Sequence, residues 1–299
     1  MLRALVGPTA SGKTEAGIAL AERLGAEVVS VDSMLVYRGM DVGTAKPTPA
    51  ERARIPHHLL DVADPSERFT VARYQTLASE ALPRIERPLL VGGSGLYFRA
   101  IVDDLVFPPE DPEVRGALET ELAVLGAARL HDRLAAADPV AAGRIEPPNA
   151  RRTVRALEVA AVTGRPFSDF AEPWGRYDAA RVRAAGIRLD REALALRAET
   201  RVRAMLDAGW LGEVAGLVAR GFGAWLTASQ AIGYAELAEH LAGRLPLETA
   251  IDRTIRRTRE LGRRQSTWFA RDPRIRWFDA GAGGAAEVLD EVGAYLEAG

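Results

Sequence analysis

Residues 7–14 read GPTASGKT, a G-x-x-x-x-G-K-[ST] spacing placed after the apolar run Leu2-Arg3-Ala4-Leu5-Val6 and before a helix-like stretch from Glu15 to Leu24. No other feature restricts the fold as much, because strand, glycine-rich loop and helix in that order make a phosphate loop. The glycines let backbone N–H groups turn inward around an anion, and the helix N-terminus adds positive partial charge behind them. Gly7, Pro8, Thr9, Ala10, Ser11, Gly12, Lys13 and Thr14 are the expected contacts to phosphate. Lys13 would reach the terminal oxygens and the Thr14 hydroxyl would hold Mg²⁺. The motif leaves open whose phosphate is bound.

Around the loop the pattern alternates strand and helix: strand 2–6, helix 13–24, strand 27–31, a helix over about 70–85, then the apolar run Pro88-Leu89-Leu90-Val91 ended by Gly92-Gly93-Ser94-Gly95. Such alternation predicts an α/β fold with a parallel sheet, whose ligands collect at the carboxyl ends of the strands. After Pro108-Pro109 the composition turns helical and rich in Ala, Leu and Arg, while 182–189 reads as a strand that returns to the sheet. The expected organisation is a core over 1–110, a helical insertion over 111–180, and a mostly helical second part of the core over 181–299, with 280–285 as a loose linker before a last helix.

Several function classes fall away on composition. The 299 residues are 47% apolar, enough for a full core, yet no run approaches the roughly 18 apolar residues that span a bilayer. No signal-peptide layout opens the chain, and with no cysteine there are no disulfides or thiolate zinc sites, so the expected compartment is the cytoplasm. The absence of a coiled-coil seam makes a monomer the default expectation. Lys13 and Lys46 are the only lysines in a chain otherwise basic through arginine, which singles out Lys46 as a second candidate for the site. The four histidines lack metal-ligand spacing; His57 and His58 follow Pro56 in an expected loop and receive no catalytic role.

Residues 30–37 read SVDSMLVY and place Asp32 just past a strand, near the phosphate loop if the strands 2–6 and 27–31 are neighbours. Position alone leaves three readings for Asp32 open: a second-shell metal ligand, a turn cap, or a general base.

The segments GPTASGKT, SVDSMLVYRGMDVGTAKP, PHHLLD, PLLVGGSGLYF, DPEVR, RRTVRALEV, SQAIGY and RRQSTWF, in this order, resemble the tRNA dimethylallyltransferase (tRNA isopentenyltransferase) family over about residues 2–278. The resemblance implies a P-loop NTPase-like fold whose inserted subdomain binds tRNA. It implies transfer of a dimethylallyl group from dimethylallyl diphosphate to N6 of the adenine 3′ of the anticodon, in tRNAs reading codons that start with U. On that footing Asp32 is the general base, Lys13 and Thr14 with Mg²⁺ stabilise the diphosphate leaving group, and Ser94 joins the diphosphate contacts. The tRNA anticodon stem-loop would meet Asp32, Ser33, Met34, Leu35, Ser94, Arg115, Arg151, Arg152, Arg155, Gln230, Arg263, Arg264, Gln265, Thr267 and Trp268. Tyr97 and Phe98 would stack or exclude water, Phe98 more readily as core.

From Ile251 to Arg276 nine arginines stand against three acids, an excess that without the resemblance would suit a solvated helix face as well as an RNA patch. Two positions depart from the family pattern: Ser94, where threonine is usual, and Ala235, where a Lys or Arg commonly follows Gly-Tyr. A P-loop kinase using ATP, which the same loop can accept, is the main alternative; a non-catalytic RNA-binding module is the other, and it leaves Gly7–Thr14 and Asp32 without purpose.

Overall fold

The computed structural model describes residues 1–103 and 105–298. It divides into two compact units, one formed by Met1–Asp103 with Tyr177–Gly299 and the other by Asp104–Arg176.

In the larger unit the strands are β1 (Leu2–Val6), β2 (Glu27–Val31), β3 (His57–His58), β4 (Pro88–Gly92), β5 (Val182–Leu189) and β6 (Ile275–Ala280). They form one parallel sheet in the order β3-β2-β4-β1-β5-β6. The first helices are α1 (Lys13–Leu24), α2 (Pro49–Arg54), α3 (Val71–Ala81) and α4 (Gly95–Val102). Those of the smaller unit are α5 (Pro112–Ala137), α6 (Pro139–Ala142) and α7 (Ala150–Thr163), and the rest are α8 (Arg191–Asp207), α9 (Trp210–Ala219), α10 (Tyr234–Leu241), α11 (Leu247–Phe269) and α12 (Leu289–Glu297).

Successive strand residues face opposite layers. Val29, Val31, Ala4 and Val6 enter a core shared with Tyr74, Phe98, Trp210 and Phe269. Val28, Leu5 and Leu89 face the other core, with Ile18 and Leu20 of α1 and Val292 and Leu296 of α12. Because both faces are covered, the strands read as near-continuous apolar runs without polar alternation. A buried ion cluster ties the end of α4 to the start of β6: Arg274 donates to Asp103 (2.7 Å) and Asp272 (2.7 Å), and Arg99 pairs with Asp103.

Three local expectations are corrected. The segment 57–58 is an edge strand, paired with Val28 and Val29, where a loop was expected. Residues 275–280 form strand β6, which the sequence reading passed over because exposed Arg276 and Asp279 interrupt its apolar pattern. Strands β1 and β2 are not neighbours, since β4 pairs with both and stands between them.

In the smaller unit, α5 starts on an Asp111 cap that accepts from Glu113 and Val114 N–H, and non-helical Gly126 (φ 80°) breaks it. Leu118, Leu130, Leu134, Val154 and Leu157 form a separate core within this unit.

Candidate active site

The phosphate loop runs from the end of β1 into α1. Gly12 (φ 84°) supplies the left-handed turn directly before Lys13. Ala10 also has positive φ (63°), a conformation that costs free energy without glycine and persists only where the surroundings hold it. Arg197 of α8 does so, donating from Nε to the Ala10 carbonyl at 2.7 Å and from a terminal nitrogen to Ala282 O at 2.8 Å. Ala285 N–H donates to Ser11 O at 2.8 Å. The 280–285 stretch is therefore no loose linker: its backbone braces the loop from behind, and Glu287 accepts from the Gly281 and Gly283 N–H groups to hold it.

Lys13 is buried, donating from Nζ to the Pro8 carbonyl and to Ser11 Oγ (3.2 Å). Burial first and the nearby Arg201 guanidinium second push its pKa down to about 7, against the pull of Asp32. Asp32 follows β2 and accepts from Met34 N–H at 2.8 Å. Burial raises its pKa, while the Met34 N–H, Lys13 and Arg201 act in the opposite sense. Arg201, on α8, has its own pKa lowered by burial and supported by Asp32. Lys13 and Arg201 thus both act on Asp32 through space, while their own hydrogen bonds go to Pro8 O, Ser11 Oγ and Thr44 O.

Sequence reasoning missed Arg201. The signal was present as spacing: Arg197 and Arg201, four residues apart, interrupt the buried stripe Leu194, Ala198, Val202 and Met205 of α8, and charge on the apolar face of a helix calls for a partner.

Lys13, Thr14, Asp32 and Arg201 line a cavity of about 650 Å³ together with Thr9, Ser33, Met34, Leu35 and Gln230. Lys13, Thr14 and Arg201 also line a second cavity of about 1130 Å³ that reaches Ala10, Ser11 and Gly12. At the end of β4, Gly92 lets the Val31 backbone just before Asp32 pack close: a Cβ there would lie 2.1 Å from the Val31 carbonyl oxygen. Ser94 is committed to Ser33, accepting from its N–H at 3.1 Å. Tyr97 and Phe98 are core, Tyr97 stacked on Tyr74 at 4.2 Å.

Lys46 has a structural job. Its side chain is fully buried and donates to Tyr37 O (2.6 Å), Asp41 Oδ1 (2.6 Å) and Asp61 Oδ1 (2.7 Å), bracing the loop that walls both cavities.

The residues expected at RNA separate into groups. Arg264 and Gln265 of α11 line the smaller cavity, and Gln265 Oε1 accepts from Thr9 N–H at 2.7 Å, joining α11 to the phosphate loop. Arg263 and Thr267 are exposed, and Trp268 packs where a Cβ on Gly95 would collide at 2.0 Å. Of the nine arginines, Arg257 pairs with Glu236, Arg259 with Glu199 and Arg274 with two aspartates; Arg256, Arg263, Arg264 and Arg271 have no acid partner among the described residues. Ala235 also lines the smaller cavity, which Arg201, Arg257 and Arg264 line as well. In the other unit, Arg115 and Arg155 converge on Glu158, whose side chain is fully buried. Burial opposes its ionisation, but the two arginines and the Asp111 N–H hold its pKa below the usual range. Arg151 and Arg152 are exposed on α7.

The chain matches the IPP transferase family over residues 35–272 and the isopentenyl transferase family over residues 1–62. A tRNA dimethylallyltransferase of Corynebacterium efficiens is 51% identical over 97% of this chain and 98% of its own length. That of Desulforudis audaxviator is 47% identical, covering 96% of each. The crystal structure of the full-length tRNA isopentenylpyrophosphate transferase from Bacillus halodurans superposes with a TM-score of 0.70 at 39% identity, covering 99% of this chain and 97% of that one. A eukaryotic dimethylallyltransferase acting on tRNA gives a TM-score of 0.80 at 26% identity over 96% of this chain and 76% of that one. On its sequence and fold the chain belongs to the tRNA dimethylallyltransferase family, prenyltransferases that modify tRNA on a P-loop NTPase-like sheet.

Proposed function

We propose that the chain transfers a dimethylallyl group from dimethylallyl diphosphate to N6 of the adenine 3′ of the anticodon, in tRNAs reading codons that begin with U. The observation that carries this reading is the convergence of Asp32 with Lys13 and Arg201 in one cavity whose further wall holds Arg264 and Gln265.

The N6–C1 bond forms as the C1–O bond breaks, and the electron pair leaves with the diphosphate. Asp32 takes the N6 proton, and Lys13, Arg201 and the loop N–H groups meet the charge that builds on the leaving oxygens. The Thr14 hydroxyl makes no hydrogen bond to a described residue and faces both cavities, which suits a hydroxyl that would hold Mg²⁺. Bound there, Mg²⁺ supplies further neutralisation of the diphosphate. The walls shield the allylic carbon from water, which would otherwise compete with the amine. Exposed Arg256, Arg263 and Arg271 would grip RNA phosphates, and the base would have to be extruded from its loop to reach Asp32.

The test is transfer of label from dimethylallyl diphosphate to an anticodon stem-loop carrying three consecutive adenines, beside ATP labelled at its terminal phosphate. Prenyl label in the RNA, lost in Asp32→Ala with RNA binding kept, supports the reading. Phosphoryl transfer without prenyl transfer refutes it.

A further inference from the structure

Arg257 of α11 lines the cavity that holds Asp32 and at the same time pairs with a buried carboxylate. Its Nη1 donates to Glu236 Oε1, and the second oxygen of Glu236 accepts from Gly233 N–H at 2.9 Å. Glu236 is buried, whereas the Arg257 side chain keeps 41% of its surface exposed. Nε and Nη2 of Arg257 make no hydrogen bond to a described residue. Burying a carboxylate costs free energy that its partners must offset. Here the carboxylate fixes a planar guanidinium by one corner and leaves the remaining N–H groups for a second acceptor.

The division of the two cavities indicates what that acceptor is. Ala10, Ser11 and Gly12 of the phosphate loop line the larger cavity, Asp32 and Ser33 the smaller, and Lys13, Thr14 and Arg201 line both. A diphosphate on the loop therefore lies toward the larger cavity and an acceptor base toward the smaller, the one Arg257 lines. The first turn of α10 adds no charge to that wall, since Ala235 presents only a methyl group. An adenine drawn out of its loop to Asp32 brings its sugar with it and leaves its flanking phosphates at the cavity mouth. A guanidinium half exposed on the wall of that cavity is placed to meet one of them, and its planar fork suits a phosphate.

We propose that Arg257, oriented by Glu236, binds a phosphate next to the extruded adenosine and so steadies the base at Asp32. The inference rests on the proposed activity. It gives Arg257 a different task from exposed Arg256, Arg263 and Arg271: those attract the RNA as a whole, and Arg257 acts on the one nucleotide that reacts.

The experiment compares three anticodon stem-loops as acceptors, one unmodified and two with an uncharged methylphosphonate in place of the phosphate on the 5′ or the 3′ side of the target adenosine, with wild type, Arg257→Gln and Glu236→Gln. Arg257→Gln should lower kcat/KM for the unmodified stem-loop about 10- to 100-fold, the size of one charge-assisted hydrogen bond, with the KM of dimethylallyl diphosphate unchanged. Neutralising one of the two phosphates should cost wild type a similar factor but Arg257→Gln less than about twofold, because the contact it removes is already gone. Glu236→Gln, which can still accept from Gly233 N–H, should fall between wild type and Arg257→Gln. A wild type indifferent to both methylphosphonates, or losses that simply multiply in Arg257→Gln, overturns the inference and leaves the proposed activity standing. A raised donor KM in Arg257→Gln overturns it as well and assigns the guanidinium to the diphosphate. Failure of wild type to prenylate the unmodified stem-loop overturns the activity and the inference with it.

Discussion

Binding of the donor diphosphate should draw a proton onto Lys13. In the free site its pKa lies at about 7, depressed by burial and by Arg201. A diphosphate against Nζ exchanges that burial penalty for ion pairing and keeps the bound ammonium charged. Affinity then follows the protonated fraction of the free site, which is about one-half at pH 7 and roughly one in thirty-three at pH 8.5. The expected weakening between those pH values is about 16-fold, or ~1.6 kcal/mol. The donor contributes little over this range, since the last phosphate proton leaves near pH ~6. Titration calorimetry at pH 8, with Mg²⁺ saturating and in two buffers of different ionisation enthalpy, should register uptake of about 0.9 proton per diphosphate. Lys13→Arg, whose guanidinium does not titrate, should take up none. A flat affinity from pH 7 to 8.5 without proton uptake would refute the reasoning, as would equal uptake by the arginine variant.

Asp32 has the opposite linkage: burial raises its pKa, and a base must be ionised, so kcat/KM should fall on an acid limb lying above the ordinary aspartate value of 3.8, read from a pH–rate profile. Asp32→Asn should lose about 10²–10⁴ in transfer rate at neutral pH, measured by prenyl label in RNA with binding followed separately. Arg201→Gln should weaken donor binding about 10- to 100-fold in a direct titration, and should raise the pKa of Lys13 because one depressing charge is gone. Lys46→Met should cost about 1–2 kcal/mol in urea unfolding, since the buried Tyr37 carbonyl loses its donor while Asp41 stays exposed and Asp61 keeps Arg52. Unchanged stability with lost diphosphate binding would instead return Lys46 to the site.

The phosphate loop, Asp32 and the parallel sheet were legible because each is local: a strand-loop-helix spacing, an apolar strand ending in a charge, and runs bounded by glycine. Strand order was not, because adjacency depends on crossovers that no local pattern encodes, and β4 came to separate two strands consecutive in the chain. Arg201 lies 188 positions from Lys13 and is called to the site by the packing of α8. Lys46 was singled out by its rarity alone, which does not tell what the ammonium meets. Its rarity in an arginine-rich chain reflects a need for a compact ammonium, but one between two aspartates and a carbonyl, where a planar fork would not fit. A count of arginines over 251–276 likewise does not tell which are paired: Arg253, Arg257, Arg259 and Arg274 meet Glu239, Glu236, Glu199 and two aspartates, while Arg263 and Arg264, the arginines of this stretch expected at RNA, have no acid partner among the described residues.

β4 stands between β1 and β2, so Asp32 and the phosphate loop face one cavity across a strand's width. Two glycines keep side chains out of the end of that strand. Residue 92 has no side chain where the Val31 carbonyl oxygen stands 2.1 Å from the position a Cβ would take, and residue 93 has none where the Gln265 amide comes within 2.5 Å of it. Over Gly93, Gln265 reaches Thr9 N–H from α11, the helix that also carries Arg256, Arg263 and Arg264. The end of β4 thus contributes chiefly by absence: it brings acid, phosphate loop and arginine-bearing helix to one cavity without occupying it. A base and a leaving-group clamp must both touch the reacting centre, one on the amine and one on the diphosphate, and a strand's width is the room that centre needs.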